Sequence, residues 1–152
     1  MSTAKQTAPN IRLARSNDIE AILALDAKFS VGKGILGHAD INALDPGGPT
    51  DMSLVAEAGH EIAGFILAHV LYLMIPFTRV CVIQGMVVDP GYQRHGIGGK
   101  LLEELIEHCK HAHIQVIRAL APQDDTDLRT FLRSKGFAPS SILNYDRTIE
   151  RA

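Results

Sequence analysis

The chain has 152 residues, enough for one domain with a sizeable buried core around a single sheet. Fifteen Lys and Arg against 17 Asp and Glu leave a formal net charge of −2, which supplies no bulk field for nucleic acid or an anionic membrane. Hydrophobic residues at 46% and charged residues at 21% fit an ordinary globular protein, so any partner has to be recognised by a local site.

Residues 1–10 read as a disordered lead and 11–152 as one domain. The polar start MSTAKQTAPN lacks the apolar region of a secretion signal, and no run approaches the ~18 uncharged apolar residues that span a bilayer, so a soluble cytoplasmic protein is expected. Ile11 to Arg15 alternates like a half-buried strand, and Ser16, Asn17 or Asp18 can cap a helix carrying Ile19, Ile22, Leu23, Leu25 and Ala27. From Gly32 to Asp51 glycine and proline break the pattern, leaving room for a short helix near His38 to Leu44 in what reads as a substrate-side loop region.

Ser53 to Ala58 and Glu61 to Val70 are two strands separated by Gly59-His60, a hairpin-type turn. Leu71 to Phe77 is apolar and partly aromatic, and reads as core first and as an interface or acceptor-pocket wall second. Thr78 to Val88 resumes an apolar strand, completing an antiparallel meander. Gly85 within it is costly for plain sheet, so a bulge or a close approach by a ligand is expected there. A helix from Ile97 to about His111 places Leu101, Leu102, Leu105, Ile106 and Cys109 on one face. Gln115 to Leu120 then reads as a strand, Asp124 to Lys135 as a helix stopped by Gly136, and Tyr145 to Ile149 as a last strand.

The junction between the apolar strand and the Ile97 helix carries Gly96, Gly98 and Gly99. The first amides of a helix lack intrahelical partners and, with the macrodipole, offer an anion site that glycines let a ligand approach closely. A phosphate-loop NTPase needs G-x-x-x-x-G-K followed by Ser or Thr, but Arg94 precedes Lys100 by six positions and Leu101 follows it. A dinucleotide fingerprint G-x-G-x-x-G needs glycine where Leu101 stands. The pattern that fits is Q-x-x-G-x-G, written Gln93-Arg94-His95-Gly96-Ile97-Gly98, with Val88-Asp89-Pro90 before it and Gly99-Lys100-Leu101-Leu102 after it.

This segment resembles the acyl-coenzyme A binding motif of the GNAT superfamily of N-acetyltransferases. Ile11-Arg12 with Asp18, the Glu57-to-Gly64 hairpin and Phe131…Gly136-Phe137 follow in the family's order, so the resemblance covers about residues 11–149. It implies an α/β (α+β) fold: a mixed, mostly antiparallel central sheet of about six to seven strands with helices on both faces, splayed at strands 4 and 5. It also implies acetyl transfer from acetyl-CoA to a primary amine of a small molecule or protein. In that reading the amides of Arg94 to Lys100 (Arg94, His95, Gly96, Ile97, Gly98, Gly99, Lys100), with Gln93, cradle the pyrophosphate, Met86 and Val88 offer main-chain groups to the pantetheine arm, and Thr126 lies where relatives place a pantetheine contact.

Aminolysis of a thioester needs a group to take the amine's proton and an acid for the thiolate. Where the family often has Glu this chain has Gln84, which can orient a water, and where many members have Tyr it has Leu132. Direct attack in a preorganised site is therefore the expected mechanism, with Gln84 and Tyr145 as the candidates for catalytic roles. His69 is a further candidate base, read first as a sheet histidine, and Asp124, Asp125 and Thr126 are read first as a helix cap. The substitutions at Gln84 and Leu132 keep a second reading open, a non-catalytic acyl-CoA binding or sensing domain. Cys81 and Cys109 are read as free thiols, and His108, His111 and His113 as a helix C-terminus rather than a metal site. A homodimer is a further expectation; the acceptor's identity is not encoded in any charge pattern of the loop regions.

Overall fold

The computed structural model describes residues 8–29, 40, 45–74 and 77–150. Residues 1–120 and 121–152 form two units. The first unit holds a five-stranded sheet in sequence order: β1 (Asn10–Leu13), β2 (Leu54–Ala58), β3 (Glu61–Met74), β4 (Phe77–Val88) and β5 (Val116–Ala119). The first four run antiparallel, and β5 lies parallel to β4. Between β1 and β2 comes α1 (Ile19–Phe29), and between β4 and β5 comes α2 (Ile97–His111), the helical crossover that a parallel pair requires.

Successive residues of a strand point to opposite faces, and this divides the core in two. Phe65 and Leu67 on β3 join Val55, Ala14, Ile22 and Leu25 beneath α1. Gly64, Ile66 and Ala68 point the other way, toward α2, because a side chain at Gly64 would meet Cγ2 of Ile97. Ile97, Leu101, Leu102 and Leu105 are all at most 1% exposed, and each contributes about 1.5–3 kcal/mol by burial. The expectation of helices on both faces thus holds for α1 and α2. Cys109 of α2 meets Cys81 of β4, both buried, and their hydrogen bond together with burial pushes the Cys81 thiol above its ordinary range.

Gly64 marks the closest approach of helix and sheet. A Cβ there would lie 3.0 Å from the carbonyl oxygen of Val87 and 3.3 Å from the Ile97 methyl. Gly64→Ala is therefore expected to destabilise the fold by about 1–3 kcal/mol through overpacking, read as a melting temperature lower by several degrees.

Four expectations need correction. The sheet has five strands among the described residues, not six to seven, and Tyr145 to Ile149 forms none: these residues belong to no strand and make no ladder, with Tyr145 91% exposed and Ile149 77%. Alternation alone cannot supply the partner a strand needs. The first strand ends at Leu13, because the Ala14 N–H turns to the Ser53 carbonyl and Arg15 caps the turn that follows. The third strand runs on to Met74, and Leu71, Tyr72 and Met74 are exposed rather than core. The short helix expected near His38 to Leu44 lies outside the described residues apart from Asp40, which is helical.

Candidate functional site: an opened strand edge beside a helix start

The ladder between β3 and β4 slips by one residue: Ala68 faces Ile83 and Leu67 faces Gly85, leaving Gln84 as the extra residue of a bulge. The bulge expected from Gly85 is present, one position earlier. Bulges bend the strand that carries them, and at the same point the other edge of β4 loses its neighbour. There β5 pairs with Val80 to Ile83 and no further, so from Gln84 to Val88 no strand borders β4 on that side among the described residues.

The direction of the main-chain groups on this edge follows from the ladder. Ala68 accepts from the Met52 N–H and Val70 donates to the Thr50 carbonyl, both on the β2 side of β3. Main-chain groups alternate along an antiparallel strand, so Phe65 and Leu67 turn theirs to β4, where they meet Val87 and Gly85. Met86 and Val88 therefore direct N–H and C=O into the open edge.

Immediately beyond, Asp89 donates its N–H to Ala63 at 2.8 Å and accepts the Gly91 N–H on Oδ1 at 2.8 Å. This fixes the entry to a 3-10 segment, Pro90–His95, that contains Gln93, Arg94 and His95. Gly96 then takes a left-handed conformation, φ 64° and ψ 30°, which L side chains adopt only at a cost. It serves as the cap of α2 without a side-chain hydrogen bond, and the first intrahelical bond runs from Lys100 N to Gly96 O at 3.0 Å. The amides of Ile97, Gly98 and Gly99 precede that bond and form the positive end of a 15-residue helix. Gly98 faces the sheet: its absent Cβ would sit 3.7 Å from Met86 Cε and 3.8 Å from Val88 Cγ2. Lys100 is exposed. The structure thus brings Met86, Val88 and the Gly96–Lys100 turn together at one end of β4.

Gln84 lies on the bulge with its side chain exposed. His69 is tied through Nε2 to Thr50 Oγ1 at 3.0 Å, and Thr50 belongs to the segment along the edge of β3 away from β4. His69 Nδ1 is buried with no hydrogen-bond partner among the described residues. Thr126 opens α3 (Thr126–Ser134), whose cap is Asp125, accepting the Leu128 N–H at 3.0 Å. Thr126, Leu132 and Tyr145 belong to the second unit. Among the described residues no three His, Cys, Asp or Glu side chains could hold a metal ion, and no helix is long and apolar enough to cross a membrane.

Two positions, named in the sequence only within longer segments, have roles of their own that were not read from it. Gly64 carries the same signal as Gly85, an isolated glycine inside an apolar strand, and sets how closely Ile97 approaches the sheet. Asp89 stands in Asp-Pro-Gly, whose tendency to bond its own main chain two residues on was legible.

A mainly antiparallel sheet whose fourth strand is bulged and opened beside a glycine-started helix defines a class of α/β acyltransferase folds. The profile described as the Acetyltransferase (GNAT) family matches residues 21–137, and the chain belongs to that family. No curated protein matches the chain by sequence. Among solved structures it is similar to aminoglycoside N-acetyltransferase AAC(6')-Iy in complex with CoA, with 15% identity, a TM-score of 0.80 and coverage of 97% of this chain and 99% of that one. Aminoglycoside 6'-N-acetyltransferase AAC(6')-IG from Acinetobacter haemolyticus is similar at 19% identity and a TM-score of 0.75, covering 93% and 99%. So is the ribosomal-protein-S18-alanine N-acetyltransferase from Escherichia coli, at 18% identity and 0.75, covering 88% and 79%. At these identities the likeness establishes the fold.

Proposed function

We propose that the protein transfers an acetyl group from acetyl-CoA to a primary amine by direct attack. The observation that carries this reading is the open β4 edge, with Met86 and Val88 main-chain groups aimed into it, ending at the uncapped amides of Ile97 to Gly99. An extended amide chain joined to a pyrophosphate matches that arrangement: the pantetheine arm adds to the edge like a strand, and the phosphates meet the helix start. Gln93, Arg94, His95, Gly96 and Lys100 complete the phosphate turn, and Thr126 is assigned to the pantetheine.

The acetyl carbonyl then lies near the bulge. The amine nitrogen attacks it, the C–N bond forms, the C–S bond breaks, and the amine's proton passes to a water held by Gln84. Tyr145 is assigned as donor to the departing thiolate. Since Gln84 orients rather than accepts, Gln84→Ala is expected to lower kcat by about tenfold or less, at the low end of what general bases contribute. Tyr145→Phe separates the roles: a fall in kcat at constant KM supports the assignment, and an unchanged kcat transfers protonation of the thiolate to solvent.

The deciding experiment is release of free CoA thiol from acetyl-CoA with a panel of primary amines, including aminoglycosides, polyamines, amino acids and peptide N-termini. Saturable, amine-dependent release is expected with at least one class. Binding of acetyl-CoA without release would favour the second reading, an acyl-CoA binding or sensing domain, to which the glutamine at 84 and the leucine at 132 lend support.

A further inference from the structure

Gly85 is a glycine that the fold itself does not require. Its backbone is not left-handed, unlike that of Gly96. Chain neighbours aside, a Cβ built on it meets nothing within 4 Å, whereas one on Gly64 would lie 3.0 Å from the Val87 carbonyl oxygen. The extra residue of the bulge is Gln84, one position earlier, and glycine weakens a strand that it sits in. Gly85 faces Leu67, so its missing side chain opens toward α1. There Leu67 and Val87 belong to the apolar cluster that includes Ile22 and Leu25 of α1. A clearance of 4 Å is an ordinary carbon–carbon contact, so the space over Gly85 takes at least one further carbon without displacing a neighbour.

The edge beside it is a groove closed at one end. Among the described residues β5 borders β4 up to Ile83 and leaves Gln84 to Val88 free, so coenzyme A laid along that edge with its pyrophosphate at α2 has its thioester at the Gln84 end. Ahead of the thioester the plane of the sheet is filled by β5. On the α2 face Met86 and Val88 lie against Gly98, and Ile97, Leu101 and Leu105 are at most 1% exposed. The direction left for an acyl chain longer than acetyl is over Gly85, on the α1 face. We infer that this space is an acyl pocket, through which the protein takes uncharged propionyl and butyryl thioesters of coenzyme A as well as acetyl-CoA, with Gly85 setting the chain length. The inference rests on coenzyme A occupying the β4 edge as proposed above. The chemistry is the same for each donor: the amine nitrogen bonds to the acyl carbon and gives up one proton, the C–S bond breaks, and the thiolate takes up one proton to leave as the CoA thiol.

Release of CoA thiol from acetyl-, propionyl-, butyryl- and succinyl-CoA at one saturating amine tests this, alongside calorimetry of the same thioesters and of free CoA. In the wild type, kcat/KM for propionyl- and butyryl-CoA is expected within about tenfold of that for acetyl-CoA. Gly85→Val, whose side chain fills the space, should lower the butyryl-to-acetyl ratio by about tenfold or more, and Gly85→Ala should lower it less, because a methylene refused by an apolar pocket changes selectivity by about 10–200-fold. Valine suits a strand, so Gly85→Val should melt no lower than the wild type; should it fail to fold, Gly85→Ala carries the test. General damage lowers both donors alike and leaves the ratio unmoved. If no amine is turned over, the calorimetric affinities of the thioesters, relative to free CoA, should follow the same order in wild type and variants. Succinyl-CoA tests the charge of the pocket, since Arg118 stands beside Val82 on the same face, and a preference for it over butyryl-CoA would overturn the apolar assignment. A wild type that discriminates against butyryl-CoA by more than about a hundredfold, a ratio unchanged in folded Gly85→Val, or a rise confined to the KM of the amine would overturn the inference. Free CoA that fails to bind would strike the edge reading and the pocket with it, whereas free CoA that binds while the longer thioesters are refused would strike the pocket alone.

Discussion

Gly96→Val is expected to weaken coenzyme A binding at least tenfold, measured by calorimetry, while the protein remains folded. The left-handed conformation of Gly96 sets the angle at which the 3-10 segment meets α2, and so the direction of the Ile97, Gly98 and Gly99 amides. A branched side chain in that conformation costs about 1–3 kcal/mol, and the strain is relieved by turning the junction. No neighbour lies within 4 Å of where a Cβ at Gly96 would stand, so the effect on packing is small and the loss falls on the ligand. Affinity unchanged in Gly96→Val would remove the junction from the site.

Arg12→Ala is expected to have the larger effect on stability, lowering the melting temperature by several degrees, since loss of the partner of a nearly buried carboxylate in a part-buried network costs about 2–3 kcal/mol. Arg12 grips Asp18 through Nη1 and Nη2, each at 2.8 Å, and Glu57 through Nε at 2.6 Å. Asp18 also accepts the Arg15 N–H, so one carboxylate ties β1 to the turn that starts α1. With its side chain 6% exposed, Asp18 would be left buried with a single donor among the described residues, the Arg15 N–H. The hydrogen bond from Arg12 holds the Asp18 carboxyl below the usual carboxylate range. A depressed folded pKa stabilises fully above the unfolded value of about 3.9, and the contribution is lost as pH falls through the lower folded value. Acid unfolding followed by circular dichroism should therefore show the wild type losing stability below about pH 4 and Arg12→Ala losing less over the same interval.

Much of this architecture was legible because it rests on local signals. The helix over Ile97–His111 follows from apolar spacing, the hairpin at Gly59-His60 from turn chemistry, and the bulge from a glycine where a strand gains nothing by one. The glycine turn before α2 was legible for the same reason, since Gly96 takes a conformation few other residues adopt. What resisted was nonlocal. The exposure of Tyr72 and Met74 depends on how far β2 and β5 extend, which the apolar sequence of β3 does not record. The Arg12–Asp18–Glu57 network joins residues up to 45 positions apart. Tyr145 to Ile149 alternates as a strand should, yet alternation states only which faces differ and not whether a partner edge is present.

Whether the open edge of β4 receives coenzyme A is tested residue by residue by amide hydrogen exchange. In the free protein Met86 and Val88, whose N–H groups face the open edge, should exchange quickly, while Gly85 and Val87, bonded to β3, exchange slowly. Adding CoA should slow Met86 and Val88 together with Ile97 to Gly99 and leave Gly85 and Val87 as they were. Saturation with CoA that leaves the Met86 and Val88 exchange rates unchanged would contradict the assignment of this edge to the cofactor.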